Sequence, residues 1–215
     1  MGKSVYSLVL TDEVIQEVDR LAYSMNTSRS NMINQILAEY VSYMTPEKRS
    51  REVFGRLEDV LAALDHFQVM LQPSDSMISL RSALSYKYNP TVRYSVELYR
   101  TQGPAVGELR VSLRSQNSSL ILYISQFFKL WQRIEAAYIG ERDSVIEDGR
   151  YVRRLYLPEG SQLTNQELGD ILAAYIQLLD DSMKEFFQDL QDPQEGARQV
   201  EKMYATFLKN GGEAV

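Results

Sequence analysis

The sequence predicts an α+β protein, in which a helix joins a small N-terminal module to a larger domain of antiparallel sheet and helices. This prediction depends on changes in apolar spacing. Apolar residues alternate near the N-terminus, then recur at helical intervals, and alternate again through the middle of the chain before helical spacing returns. Alternation places apolar side chains on one face of a strand, whereas recurrence every three or four residues places them on one face of a helix.

Length and composition narrow the class of protein. The 215 residues suit two small domains, and 44% hydrophobic with 24% charged residues is ordinary for a globular chain. No apolar run approaches the roughly 18 residues that a membrane span needs. Asp12 and Glu13 interrupt any signal-peptide pattern, and there is no cysteine for disulfides. We therefore expect a cytoplasmic protein with no membrane partner.

Charge is distributed unevenly along the chain. The formal net charge is −6, whereas partners of nucleic acids are usually basic. Residues 77–115 carry a net charge of +4, and residues 158–215 carry −7. Because local surfaces decide binding more than the total charge does, the acidic total does not exclude an anionic partner.

The first 45 residues contain signals for one strand and two helices. In residues 4–10, Tyr6, Leu8 and Leu10 fall on one face and Val5, Ser7 and Val9 on the other. This alternation predicts a strand. Thr11 is a suitable N-cap for an amphipathic helix over residues 12–25. Ser28 can cap a second helix whose apolar stripe extends to Met44, and Asn26 suits the left-handed turn between the helices.

A strand and two helices of this size form too small a core for a monomer, and pairing two copies would supply one. Three runs carry a family resemblance: Ser7 to Glu13, Val18 to Ala22, and Thr27 to Ile33, of which the last is the most specific because of Ser28-Arg29-Ser30. Residues 3–44 thereby resemble the ribbon-helix-helix family of the Arc, MetJ and CopG repressors. The resemblance implies a homodimer that binds DNA through a two-stranded β-ribbon.

The resemblance also implies which residues touch DNA. Lys3, Val5, Ser7 and Val9 would lie on the outer face of the ribbon and enter the major groove. Ser28, Arg29 and Ser30, at the start of the second helix, would bind a phosphate. Family members usually place hydrogen-bonding side chains on the outer ribbon face. Val5 and Val9 cannot form hydrogen bonds with base edges, although they can touch thymine methyl groups.

The remaining residues predict a connector helix and a sheet. Thr45-Pro46 should end or bend the second helix, and residues 46–75 contain the connector, with helical spacing over 47–71. Alternation then predicts antiparallel strands with one dry face. The predicted strands lie near residues 78–86, 92–98, 109–113, 119–124 and 151–157.

Three helices are predicted toward the C-terminus. One begins near Gln126 and stops at Gly140, one opens with a capping box at Thr164 and continues to about Leu190, and one follows Pro193. Aromatic residues of the first are expected in the core rather than in a ligand pocket: Phe127, Phe128 and Trp131, together with Leu130.

The basic side chains of the strand block allow two interpretations. They are Arg81, Lys87, Arg93, Arg100, Arg110 and Arg114. Some could form a second nucleic-acid surface. We favour cross-strand pairing with Glu97 and Glu108 on the wet face of the sheet.

Catalytic and metal sites have little support in the sequence. His66 is the only histidine and lies in no known catalytic motif. Asp180 and Asp181 are expected on an exposed helix face. No metal-ligand spacing and no nucleotide-binding loop occurs, so we predict no catalytic residue, no metal and no cofactor.

The sequence therefore favours a homodimeric, sequence-specific DNA-binding regulator of the repressor type. Residues 1–45 would bind double-stranded DNA, and residues 76–215 would serve oligomerisation, sensing of a small effector or contact with a protein partner. We expect the acidic segment 158–215 to lie away from DNA. The alternative is an interaction protein of the antitoxin-like or structural kind, in which the N-terminal module only dimerises.

Overall fold

The structure is a computed structural model that describes residues 5–70, 75–100, 103–157 and 160–214. The described residues form six helices and a six-stranded sheet, which confirms the α+β class. The chain divides into two compact units, residues 1–49 and residues 50–215.

The smaller unit contains helices α1 (Asp12–Ser24) and α2 (Arg29–Tyr40). Asn26 has a φ of 49°, the left-handed turn predicted from its residue type. The second helix is shorter than predicted, because it ends at Tyr40 and Ser42 turns to a φ of 55°. Residues 5–10 form neither helix nor strand in the single chain, so the predicted ribbon stays a prediction.

Pro46 begins a helix rather than ending one. The Thr45 hydroxyl accepts a hydrogen bond from Lys48 N at 3.1 Å, which caps helix α3 (Pro46–Ala62). Proline suits the first turn, where its missing N–H has no helical partner. The helix predicted over residues 47–71 is wrong for the described residues beyond Ala62, because the chain turns there and Phe67–Val69 forms the edge strand β1. A short apolar run does not distinguish helix from strand.

One antiparallel sheet forms the centre of the larger unit. Besides β1, its strands are β2 (Met77–Ala83), β3 (Thr91–Leu98), β4 (Ala105–Leu113), β5 (Ser144–Glu147) and β6 (Arg150–Tyr156). The strands lie in the order β1-β2-β3-β4-β6-β5. The dry face is clearest in β3, where Val92, Tyr94 and Val96 are buried and the residues between them are not. This alternation confirms the prediction of one wet and one dry face.

The predicted strand over residues 119–124 is wrong, because these residues lie in helix α4 (Ser118–Ile139). Asn117 starts that helix by accepting a hydrogen bond from Leu120 N at 3.2 Å. Gly140 follows it with a φ of 80°, as predicted. The hairpin strand β5 has no counterpart in the prediction.

Two further helices complete the larger unit, α5 (Asn165–Gln188) and α6 (Pro193–Lys209). The Thr164 capping box is present, and Pro193 is the first residue of α6. The buried side chains of α3 to α6 and of the sheet form one apolar cluster, which includes Phe127, Phe128 and Trp131 as predicted. Among the described residues, no helix is both long and apolar enough to cross a membrane.

Candidate nucleic-acid interface

The segment before α1 alternates in exposure as the sequence predicts. Val5 and Val9 are fully exposed, whereas the exposed fraction on the other face falls from 84% at Tyr6 to 36% at Leu10. Among the described residues, 5–10 make no backbone hydrogen bond. Such a segment offers a row of unused donors and acceptors to another strand. Lys3, the first predicted DNA contact, lies outside the described residues.

The smaller unit leaves much of its apolar surface uncovered. Its buried cluster contains only Val18, Ala22 and Met32, with Ile33 packed against it. Large apolar side chains on the same unit are exposed: Tyr6, Leu8, Val14, Leu21, Met25, Leu37 and Tyr40. Exposed apolar side chains in this number on a small unit are typical of an interaction site.

Ser28, Arg29 and Ser30 meet at the start of α2, as the sequence predicts. The Ser28 hydroxyl accepts a hydrogen bond from Asn31 N at 3.3 Å, so this serine is the helix cap. A hydroxyl that accepts can also donate, so Ser28 remains able to bind a phosphate oxygen. The N–H groups of Arg29 and Ser30 have no hydrogen-bond partner among the described residues, and such groups at a helix start favour anions.

The Arg29 side chain has a partner that the sequence did not predict. Its Nε and Nη2 atoms donate to the two carboxylate oxygens of Asp19, at 2.6 and 2.5 Å. The hydrogen bond from Arg29 lowers the pKa of Asp19, and the Asp19 carboxylate raises the pKa of Arg29. The pair joins α1 to α2. A phosphate that approaches the guanidinium must therefore share it with Asp19.

The prediction that Asp180 lies on an exposed helix face is wrong. Asp180 is buried and accepts hydrogen bonds from the Tyr94 and Ser82 hydroxyls, at 2.8 and 3.1 Å. The Lys184 ammonium lies 2.6 Å from the same carboxylate. Burial raises the pKa of Tyr94 well above its usual value, with Asp180 adding to the shift. These contacts bind α5 to the sheet.

His66 approaches this carboxylate as well. His66 Nε2 lies 3.5 Å from Asp180 Oδ2 and 4.0 Å from Asp181 Oδ1, and this spacing could hold a metal ion. Lys184 already neutralises Asp180, however, and two hydroxyls bind its oxygens. The arrangement therefore favours a network that stabilises a buried charge over a cation site.

Sequence reasoning missed a second buried network between α4 and β6. Arg153 Nε lies 3.1 Å from Glu135 Oε1, and both side chains are fully enclosed. The Tyr151 and Tyr175 hydroxyls donate to Glu135 at 2.8 and 2.7 Å. Trp131 Nε1 donates in turn to Tyr175, at 3.0 Å. One signal was present: Arg153 falls in phase with Tyr151 on the dry face of its strand, where a charge requires a partner.

Comparisons of this chain with protein-family models, curated proteins and solved structures found no match. Three kinds of group at the candidate interface can bind another strand or an anion. Within the described part of the chain, these are backbone groups of residues 5–10 without hydrogen-bond partners, a hydroxyl at Ser7 between two exposed valines, and unbonded N–H groups at the start of α2.

Proposed function

We propose that the protein is a homodimeric DNA-binding regulator of the repressor type, in which residues 4–10 of two copies pair as an antiparallel ribbon. One observation carries the proposal: residues 5–10 have no backbone hydrogen-bond partner among the described residues, and one face of this segment is fully exposed while the other is partly covered. The same unit has further exposed apolar side chains. Pairing would satisfy the backbone groups. It would also remove Tyr6, Leu8 and Leu10 from water, and burial of apolar surface is the main driving force of association.

The ribbon would bind DNA through its outer face. A two-stranded ribbon fits the major groove, where base edges present hydrogen-bonding groups and thymine presents a methyl group. Ser7 would supply a hydrogen bond, and Val5 and Val9 would supply apolar contacts. The N–H groups of Arg29 and Ser30 would bind a phosphate and set the position of the ribbon.

Two neighbouring residues test the proposal because they belong to opposite faces. Leu8→Asp would place a carboxylate between the apolar layers of the dimer, at a cost of roughly 2 kcal/mol or more if it stays unpaired. Sedimentation should then show monomer or unfolded chain. Val9→Asp introduces the same charge on the outer face, so we expect an intact dimer that no longer binds DNA, because the carboxylate repels phosphate.

The measurement combines sedimentation with a salt titration of affinity for duplex DNA, starting near 50 mM salt. Wild-type affinity should fall steeply with salt, because bound phosphates release counterions. A Leu8→Asp variant that remains a full dimer would contradict the predicted ribbon. Wild-type protein that dimerises without any affinity for DNA would contradict the regulator.

A second candidate is a dimerisation module within an interaction protein of the antitoxin-like or structural kind. Two observations favour it. Val5 and Val9 offer no hydrogen bond to a base, and the Arg29 guanidinium is held by Asp19. The candidates differ in two results. A module that only dimerises should have no affinity for DNA as wild type, and Val9→Asp should change none of its measured properties.

A further inference from the structure

The wet face of the sheet carries arginines in neighbouring positions. Arg81 of β2 lies directly opposite Arg93 of β3, and Arg93 lies opposite Ser112 of β4. Ser112 in turn lies opposite Arg150 of β6. We call these three arginines, together with Arg114 beyond the end of β4, the arginine row. Cross-strand neighbours of like charge destabilise a sheet, so this placement calls for a reason beyond folding.

The arginine row lacks carboxylate partners. Among the described residues, Arg93, Arg114 and Arg150 make no ion pair or hydrogen bond through their side chains, and Arg81 donates only to the Gln68 amide oxygen, at 2.8 Å. Arg150 lies opposite Glu147 in the sheet, yet no ion pair joins them.

The other end of the same face differs. Arg110 pairs with Glu97 at 3.0 Å and also with Glu108, and Arg154 pairs with Asp143 at 3.2 Å. The cross-strand pairing predicted from the sequence is thus confirmed for Arg110 and wrong for Arg81, Arg93 and Arg114. Among the described residues of this face, the arginines Arg81, Arg93, Arg114 and Arg150, which form no ion pair, lie toward one end of the sheet.

A concave site of about 610 Å³ lies over the arginine row, and all four arginines line it. Of the described residues that line it, Asp148 alone carries a carboxylate, which leaves an excess of three positive charges. Hydroxyls of Thr91 and Ser115 and apolar surface from Met70 and Ile121 complete the wall. The volume falls within the range of small-molecule sites.

We propose that this site binds a small ligand with two or more phosphate groups and an apolar portion. One guanidinium group can donate two parallel hydrogen bonds to two oxygens of a phosphate, and it keeps its charge at any working pH. Several guanidinium groups in one concavity therefore favour a ligand with several negative charges. A nucleic-acid backbone needs positive charge along an extended track. Here the carboxylates Glu97 and Glu108 follow on the same face, so the surface fits a compact ligand better. The proposal is independent of the N-terminal module.

The test is calorimetric titration of the full chain with inorganic tripolyphosphate at low salt. We expect one saturable site per chain. Arg93→Gln should weaken binding about tenfold or more, the loss expected from removing one charge-assisted hydrogen bond. Arg110→Gln removes the same charge from the same face, but from a side chain already paired, and should change affinity less than twofold.

Stability gives a second readout. Arg93→Gln removes a repulsion between neighbouring strands, so its unfolding midpoint should equal or exceed that of wild type. A merely structural arginine would lower it. Absence of saturable tripolyphosphate binding, or equal losses from the Arg93 and Arg110 variants, would overturn the proposal.

A competition experiment separates the possible sources of phosphate. A short single-stranded oligonucleotide should displace tripolyphosphate only weakly. If the oligonucleotide binds more tightly than tripolyphosphate and loses affinity in Arg93→Gln, the ligand is a nucleic-acid backbone and the small-ligand proposal fails. Duplex binding that survives Arg93→Gln belongs to the N-terminal module.

Discussion

At the scale of single residues, Arg153 and Glu135 form an ion pair within the core of the larger unit. Both side chains are fully buried, and two tyrosine hydroxyls donate to the carboxylate. Two charges in a low-dielectric interior stabilise the fold only together, because each needs the other to offset the loss of water. The consequences of removing one partner therefore differ from those of neutralising both.

We predict that Arg153→Met destabilises the protein by about 3–5 kcal/mol, because it leaves the Glu135 carboxylate buried without its counter-charge. Adding Glu135→Gln should restore about half of the loss or more, since the amide still accepts a hydrogen bond from a tyrosine and carries no charge. Urea unfolding of the two single variants and of the double variant gives the free energies. Losses that simply add would show that the two side chains are not coupled.

The exposed ion pair of Arg29 and Asp19 leads to a prediction about DNA affinity, which depends on the proposed DNA-binding function. Asp19→Asn should free the guanidinium for phosphate, so affinity for any duplex should rise and the salt slope should steepen by about 0.9 for one added contact. Arg29→Gln should lower the affinity and make the salt slope shallower, on operator and random DNA alike. Salt titrations that superimpose for the two variants would exclude Arg29 from the interface.

At the scale of elements, close packing of α3 against α5 depends on a glycine. A Cβ on Gly169 would lie 2.8 Å from the Val53 carbonyl oxygen and 2.7 Å from Arg56 Cβ. Gly55 of α3 contrasts with it, since its Cβ would meet nothing within 4 Å. The same substitution at the two positions should therefore change stability in opposite directions.

Gly55→Ala should stabilise the protein by about 0.5–1 kcal/mol, because alanine loses less backbone entropy than glycine in a helix. Gly169→Ala should destabilise it by about 1–3 kcal/mol, because the backbone of α3 must move to admit the methyl group. Thermal or urea unfolding of the two variants decides the matter. A stabilised Gly169→Ala variant would show that the helices separate at little cost.

Helices and strands were predictable from the sequence where residues close together in the chain decide the structure. Ser28 and Thr164 cap their helices as predicted, because a cap depends on residues within one turn. The run over 119–124 was assigned to the wrong element, since its five consecutive apolar residues, 120–124, fit a strand and a buried helix equally well. Asn117 was the missed cap of that helix.

At the scale of the whole molecule, the larger unit contains a core of its own. The sheet and helices α3 to α6 share one buried cluster, whereas the smaller unit buries only a few apolar side chains. The acidic C-terminal third contributes α5 and α6 to that cluster, so it cannot be deleted without loss of the core.

We therefore predict that a fragment of residues 45–215 folds alone, unfolds cooperatively and remains monomeric, whereas the full chain dimerises through residues 4–44. Thr45 is retained because it caps α3. Sedimentation and thermal unfolding of both proteins test this. A fragment that dimerises as tightly as the full chain would place the dimer interface in the larger unit.

The sequence by itself determined the order of most elements, the two faces of the sheet and the alternating segment before α1, because these features depend on spacing among near neighbours. Only the tertiary structure decided which charges have partners. Asp180 accepts a hydrogen bond from Tyr94, which lies 86 positions away in the chain. Arg153 of β6 forms an ion pair with Glu135 of α4. The arginine row likewise arises from strand register, which joins residues far apart in sequence. Electrostatic compensation depends on distance in space, and apolar periodicity contains no information about that distance.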